Sequence, residues 1–164
     1  ERFRRHIAIS VGHLRSLFGN ITDQMLHKNW FMYLNGQEEA NELYLANEGA
    51  FFRDHVIQGH PDHQEVLSRI SDPKAMRAML NWDRGNPMAA YYHGVVTGAL
   101  QYPDCQVPTM GIWSEGDHAL WESQMTDSAK FMAAQWRYER LPGSHWVMMD
   151  HPQEVSDLML DWLK

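Results

Sequence analysis

Three short strand-like segments, with a long helix-patterned stretch between the first and the second, most constrain what this chain can fold into. His6-Ile7-Ala8-Ile9-Ser10-Val11 is apolar and β-branched, and it stops at Gly12. Val107-Pro108-Thr109-Met110-Gly111-Ile112-Trp113 carries its proline near the start, where a strand tolerates one. Trp136-Arg137-Tyr138-Glu139-Arg140-Leu141 alternates large apolar with charged residues and ends at Pro142-Gly143. The residues from about Ile21 to His55 are helical in composition, with a break near Asn35-Gly36. Ser71-Asp72-Pro73 opens a helix expected to run to about Arg84-Gly85, with proline in its first turn. Another is expected from about Leu120 to Ala134. Asp150-His151, read as a cap, and Pro152 open the last, whose apolar face is Val155, Leu158, Met159, Trp162 and Leu163.

The order is strand, helical insertion, strand, helix, strand, helix, and its last part alternates as a doubly wound parallel sheet does. The expected fold class is therefore α/β. The insertion divides the chain into residues 1–15 (core strand and entry), 16–102 (helical cap) and 103–164 (C-terminal core strands and helices). Three strands alone make a poor parallel sheet, whose faces and edges need cover. Further polypeptide is expected upstream, and the lack of an initiator methionine agrees with that. The segment alone is expected to be inactive and poorly stable.

Composition narrows the function. At 164 residues and a net charge of −7, the chain lacks the basic face that nucleic acid requires, and no anionic membrane surface is expected as a partner. No apolar run approaches the ~20 residues of a membrane span. The single cysteine, Cys105, excludes an intrachain disulfide framework and fits a reducing compartment, so a cytoplasmic location is expected. Seven Trp, six Tyr, six Phe and eleven Met suit a deep core or an apolar cavity.

Two turns carry chemistry. In Leu141-Pro142-Gly143-Ser144-His145-Trp146 a histidine follows a strand end, where sites on parallel sheets lie. In Trp113-Ser114-Glu115-Gly116-Asp117 a carboxylate follows another. Each alone has a structural reading, a hydrogen-bonded turn histidine or a helix-capping aspartate. Leaving adjacent strand ends on one edge, they make a base and its orienting acid.

These stretches resemble the end of α/β-hydrolases related to epoxide hydrolases. The similarity lies in Val107-Pro108-Thr109 with Gly116-Asp117, in Arg137 through Trp146, in the closing helix from Pro152 to Leu163, and in the opening Arg5 to His13. The resemblance implies an α/β-hydrolase fold whose helical insertion is a cap. It makes Asp117 the charge-relay acid and His145 the general base. The family's order is nucleophile, acid, histidine. No nucleophile elbow is found here: Gly12-His13-Leu14 is not one, and Gly143-Ser144-His145 is already the histidine turn. The nucleophile is expected upstream of Glu1. If it is an aspartate, the implied mechanism is a covalent alkyl ester hydrolysed by His145-activated water; if a serine, an esterase.

Epoxide hydrolases of this kind use two cap tyrosines as donors to the epoxide oxygen. At the first place Asn29-Trp30-Phe31-Met32-Tyr33 puts Phe31, with Tyr33 two residues on. At the second, Asn81-Trp82-Asp83-Arg84 puts Asp83. Asp83 is either a structural ion, paired with Arg84 or solvent, or a neutral acid in an apolar pocket, donating in place of a phenol. Trp30, Phe31, Tyr33, Trp82, Asp83 and Trp146 are the candidate substrate-binding residues, with core packing the competing reading for the tryptophans. His55, His60, Asp62 and His63 lack the ordered spacing of a metal site and read as a solvated loop.

The expected function is a hydrolase acting on a small apolar electrophile in the epoxide-hydrolase manner. The alternatives are an esterase or fluoroacetate-type dehalogenase on the same scaffold, and a non-catalytic binding protein using the capped pocket. No metal or organic cofactor is implied. The expected partners are a small-molecule substrate, the N-terminal half of the same fold and a second copy of the chain in a homodimer.

Overall fold

The computed structural model describes residues 3–19 and 22–164, apart from the side chain of Gln24. The expected helix start near Ile21 and the terminal Glu1-Arg2 lie outside the described residues. The three strands are β1 (His6–Ile9), β2 (Thr109–Gly116) and β3 (Trp136–Ser144). They form one parallel sheet in the order β1-β2-β3. Parallel pairing with all connections by helices is the architecture the strand–helix alternation predicts.

Between β1 and β2 run α1 (Leu14–Phe18), α2 (Asp23–Asn35), α3 (Ala40–Phe51), a π-helical turn (Phe52–Val56), α4 (His63–Ile70), α5 (Pro73–Gly85) and α6 (Met88–Val96). Among the described residues three of their starts are chemically marked, the first by His13 Nδ1, which accepts from Arg15 N at 3.2 Å ahead of α1. Thr22 Oγ1 accepts from Met25 N at 3.1 Å, and the Asp72 carboxylate accepts from Lys74 N at 2.8 Å just ahead of Pro73. The break near Asn35-Gly36 is present, since α2 ends at Asn35. α3 is itself kinked, with Asn47, Glu48 and Gly49 in the left-handed region. Nothing in the sequence announced that kink.

After β2 come α7 (Glu122–Thr126) and a 3-10 turn (Asp127–Phe131), and after β3 come α8 (Val147–Asp150) and α9 (Pro152–Leu163). The helix expected over 120–134 is thus only a short α-turn that tightens and stops. Beyond Phe131 the chain enters a bridge between Met132 and Cys105. There Ala133 N donates to Cys105 O, and Cys105 N donates to Phe131 O. That local pairing outcompetes further helical bonds.

Three apolar clusters hold the layers. One face of the sheet packs Met110 and Ile112, with Ile7, Ile9 and Leu141, against Val147, Val155, Leu158, Met159 and Trp162. Trp162 Nε1 donates to His6 O at 3.0 Å, fastening α9 across to β1. Leu163, expected on that face, is 55% exposed; the stripe is one residue narrower than predicted. On the other face a Cβ at Gly111 would stand 2.4 Å from the Trp136 ring and 2.7 Å from the Met125 sulfur, so only glycine lets α7 approach there. A second cluster joins Leu17, Phe18 and Tyr92 to Ala119 and Leu120 beyond β2. The third, with Tyr44, Phe52, Met76 and Leu80 at its centre, lies within the helical insertion. Among the described residues no helix is long and apolar enough to cross a membrane.

Candidate active site

The register of β2 and β3 brings the two chemical turns together. Gly116 is paired with Ser144, so Asp117 and His145 leave neighbouring strands one residue past matched positions. His145 Nδ1 donates to Asp117 Oδ2 at 2.8 Å. A carboxylate only accepts, so the proton sits on Nδ1 in the neutral ring, leaving Nε2 as the basic nitrogen. Nε2 has no hydrogen-bond partner among the described residues. The Asp117 side chain is fully buried, while that of His145 keeps 20% exposure. The other carboxylate oxygen accepts from Ala119 N at 2.8 Å and Leu120 N at 2.9 Å. Three donors on one buried carboxylate satisfy it and fix its orientation.

The histidine turn is held from four directions. Ser114 Oγ donates to Ser144 O. The Asp150 carboxylate accepts from Ser144 N at 2.6 Å and from Ser144 Oγ at 2.7 Å. Ser10 Oγ donates to His145 O at 2.9 Å. Trp146 Nε1 donates to Gln58 O at 3.3 Å, and its ring lies edge-on to His145 with centroids 5.1 Å apart. Asp150, expected as a helix cap, makes no cap hydrogen bond to α9 and instead grips the turn. Gly143, at φ 112°, allows the close approach, since a Cβ there would stand 3.0 Å from Asp150 Oδ2.

Ser10 escaped the sequence analysis. It is buried, directly follows β1 and adopts φ 62°, a left-handed conformation uncommon for serine. Gly12 follows because its Cβ would fall 2.2 Å from Gln124 O. The pattern Ala8-x-Ser10-x-Gly12 after a strand was the available signal. Its hydroxyl faces the His145 backbone and not the ring, which makes it a positioning residue.

His118 was also missed. Its ring lies 6.0 Å from that of His145, with Nε2 3.5 Å from Val56 O on the π-helical turn. Burial, first of all, pushes its pKa down. Lys28 and Asn29 of α2 reach the acid loop as well. Lys28 Nζ donates to Asp117 O and to Leu120 O, the latter at 2.9 Å, and Asn29 Nδ2 donates to Ala119 O at 2.8 Å.

The six candidate substrate-binding residues do not converge. Trp146 adjoins His145. Phe31 and Tyr33 pack on the cluster that contains Ala119 and Leu120, beside the acid loop. Tyr33 stacks parallel to Tyr92 at 6.3 Å, burial raises its pKa, and its hydroxyl has no hydrogen-bond partner among the described residues. Trp30 meets Phe31 and Phe51 edge-on at 6.2 and 5.9 Å. Trp82 corrects the expectation: it is 76% exposed, on the face of α5 opposite Leu80, and lines no enclosed site. Asp83 accepts from Asn35 Nδ2 at 2.7 Å, and Asn35 Oδ1 accepts from Tyr44 at 2.6 Å. That places Asp83 as an acceptor in a structural network with Asn35, while Arg84 turns to Gln37 O at 2.8 Å. His60 caps its own loop through Asp62 N at 3.0 Å and packs on Trp146 at 4.5 Å.

A parallel sheet with a helical insertion, and a buried acid and a histidine at adjoining strand ends, define the α/β-hydrolase fold, and comparison with solved structures bears this out. The chain superposes on ALR0039 of Nostoc sp. PCC 7120, provisionally assigned as an α/β hydrolase, with a TM-score of 0.74 at 14% identity, covering 99% of this chain and 58% of that one. On a mutant of an epoxide hydrolase from Bacillus megaterium, complexed with its diol product, the TM-score is 0.72 at 17% identity, covering 98% and 60%. The chain therefore has the α/β-hydrolase fold. In sequence it is 37% identical over 62 residues to epoxide hydrolase 3 of Xenopus tropicalis, a stretch that is 37% of this chain and 17% of that protein. No family model matches. The chain spans less than two thirds of the length of each of these proteins.

Proposed function

We propose that this chain supplies the acid and histidine of a hydrolase that acts on a small apolar electrophile by way of a covalent ester. The observation that carries the reading is the buried Asp117–His145 pair with Nε2 left open. A nucleophilic aspartate, expected from outside these residues, attacks an electrophilic carbon. The carbon–oxygen bond of the epoxide breaks, and its oxygen, still attached to the neighbouring carbon, takes a proton from the Tyr33 hydroxyl or from water. His145 Nε2 then removes a proton from water. The resulting hydroxide adds to the ester carbonyl. Collapse expels the ester oxygen, which takes the added hydroxyl's proton to complete the diol and restore the carboxylate, and the imidazolium returns its proton to the group that protonated the alkoxide. Asp117 stabilises the imidazolium formed in between. The helices of residues 16–102 serve as the cap over this edge, with Phe31, Tyr33 and Trp146 as the apolar and phenolic wall.

One observation favours a second reading, an esterase or a carbon–halogen hydrolase. Of the two candidate donors named from sequence, Asp83 accepts from Asn35 Nδ2, and the Tyr33 hydroxyl has no hydrogen-bond partner among the described residues. A single donor suits an ester or halide better than an epoxide oxygen held by two.

His145→Ala in the intact protein is the test. Turnover is expected to fall by on the order of 10³-fold or more, with mass spectrometry showing substrate-derived mass retained on the protein. Undiminished turnover overturns the assignment. The mass gained discriminates an alkyl ester from an acyl one.

A further inference from the structure

The acid loop is gripped from the helical insertion by two side chains that the catalytic pair does not itself use. We propose that Lys28 is a positioning residue for the reaction, holding the Asp117 loop through its backbone carbonyls so that α2 sets the alignment of the acid and the histidine. This rests on the hydrolase reading above.

The contacts are specific. Asp117, Ala119 and Leu120 turn three carbonyls of one loop toward α2. Lys28 Nζ takes those of Asp117 and Leu120, and Asn29 Nδ2 takes that of Ala119. The Lys28 ammonium lies 4.3 Å from the centroid of the Trp121 ring, which closes its third side. Asn29 is fully buried, with its Oδ1 3.5 Å from the Tyr92 hydroxyl. The same loop offers its amides inward: Ala119 N and Leu120 N both donate to Asp117 Oδ1. The loop is thus a two-sided clasp, with amides on the acid and carbonyls on α2. A shift of α2 moves the carboxylate that orients His145.

Charge reinforces geometry. Burial pulls the Lys28 pKa down, and the facing Asp117 carboxylate opposes that. The groups that face this cluster are Asp117, His118 and His145 from the sheet edge and Lys28 from α2. The Lys28 cation also disfavours a positive charge on His118, a lesser effect there than burial.

The test compares wild type, Lys28→Met and Lys28→Arg in the intact protein. Methionine keeps an apolar stem over Trp121 and removes the ammonium. The expected result is an upfield move or loss of the low-field Nδ1 proton resonance that reports the His145–Asp117 hydrogen bond, followed by NMR. The step that consumes the covalent intermediate should slow about tenfold, the cost of roughly 1.4 kcal/mol of lost alignment, while its formation changes less. Arginine should restore most of both. Thermal melting confirms that each variant folds; if the methionine variant does not, Lys28→Gln, which keeps a donor without the charge, replaces it. An unmoved Nδ1 proton resonance in a folded, uncharged variant overturns the proposal, even if the rate falls, because a merely structural lysine would act that way. If wild type shows no turnover, the hydrolase reading fails while the Nδ1 proton resonance still decides whether α2 governs the acid–histidine pair.

Discussion

The histidine turn shows what a single side chain decides. His145 and Asp117 were legible because each follows a strand end in a short glycine-containing turn, and strand order alone is enough to pair them. The side chains that hold them were not. Ser10 reaches His145 across 135 positions of sequence, and Asp150, six residues from Ser144, has the look of a helix cap until the turn folds back upon it. Asp150→Ala would leave Ser144 N without its acceptor in a half-buried site. It is expected to cost about 1–3 kcal/mol of stability, read from urea unfolding. Phe31 and Asp83 occupy the places where the resemblance called for tyrosines. What sequence alone left open was the partner of Asp83, which in the structure is Asn35 Nδ2.

At the scale of elements, α5 teaches why tryptophans mislead. Pro73–Gly85 was predicted almost to the residue, because an N-terminal aspartate and proline mark its start. Which of its apolar side chains faces inward depends on what packs against it. Leu80 is fully buried among Tyr44, Phe52 and Met76, while Trp82, two positions on and so on another face, is exposed. Leu80→Ala is expected to cost about 2–5 kcal/mol, and Trp82→Ala to change stability by less than about 0.5 kcal/mol; thermal denaturation of the two variants separates them. The helix expected over 120–134 failed for a comparable reason. Its composition suits a helix, but the Cys105–Met132 bridge takes up the backbone groups that a longer helix would have used.

For the whole molecule, the strand–insertion–strand order was enough to give the class of fold and the parallel sheet. The kink in α3 and the clasp between α2 and the acid loop depend on tertiary packing with no local signature. Acid should weaken the assembly in a definite direction. His118 and His13 both have pKa values lowered from 6.5, burial being the main cause for each. A depressed folded-state value means that the unfolded chain binds more protons. The stability these residues contribute is therefore complete above about pH 6.5 and is lost as the pH falls through the lower folded values. Unfolding free energy is expected to decline from pH 7 to pH 5, and less steeply in His118→Asn; parallel slopes in the two proteins would remove His118 as the cause.

The turn that carries His145 is closed by Ser10 from the end of the first strand, Ser114 from the second and Asp150 from beyond the third. The Ser10 contact forms only after the long helical insertion between β1 and β2 has been closed, at its entropic cost. Full fastening of the histidine turn is thus expected to be among the last properties the chain acquires as it folds. Recovery of a reactive His145 would serve as a clock for the completion of folding, running behind any signal from the helices.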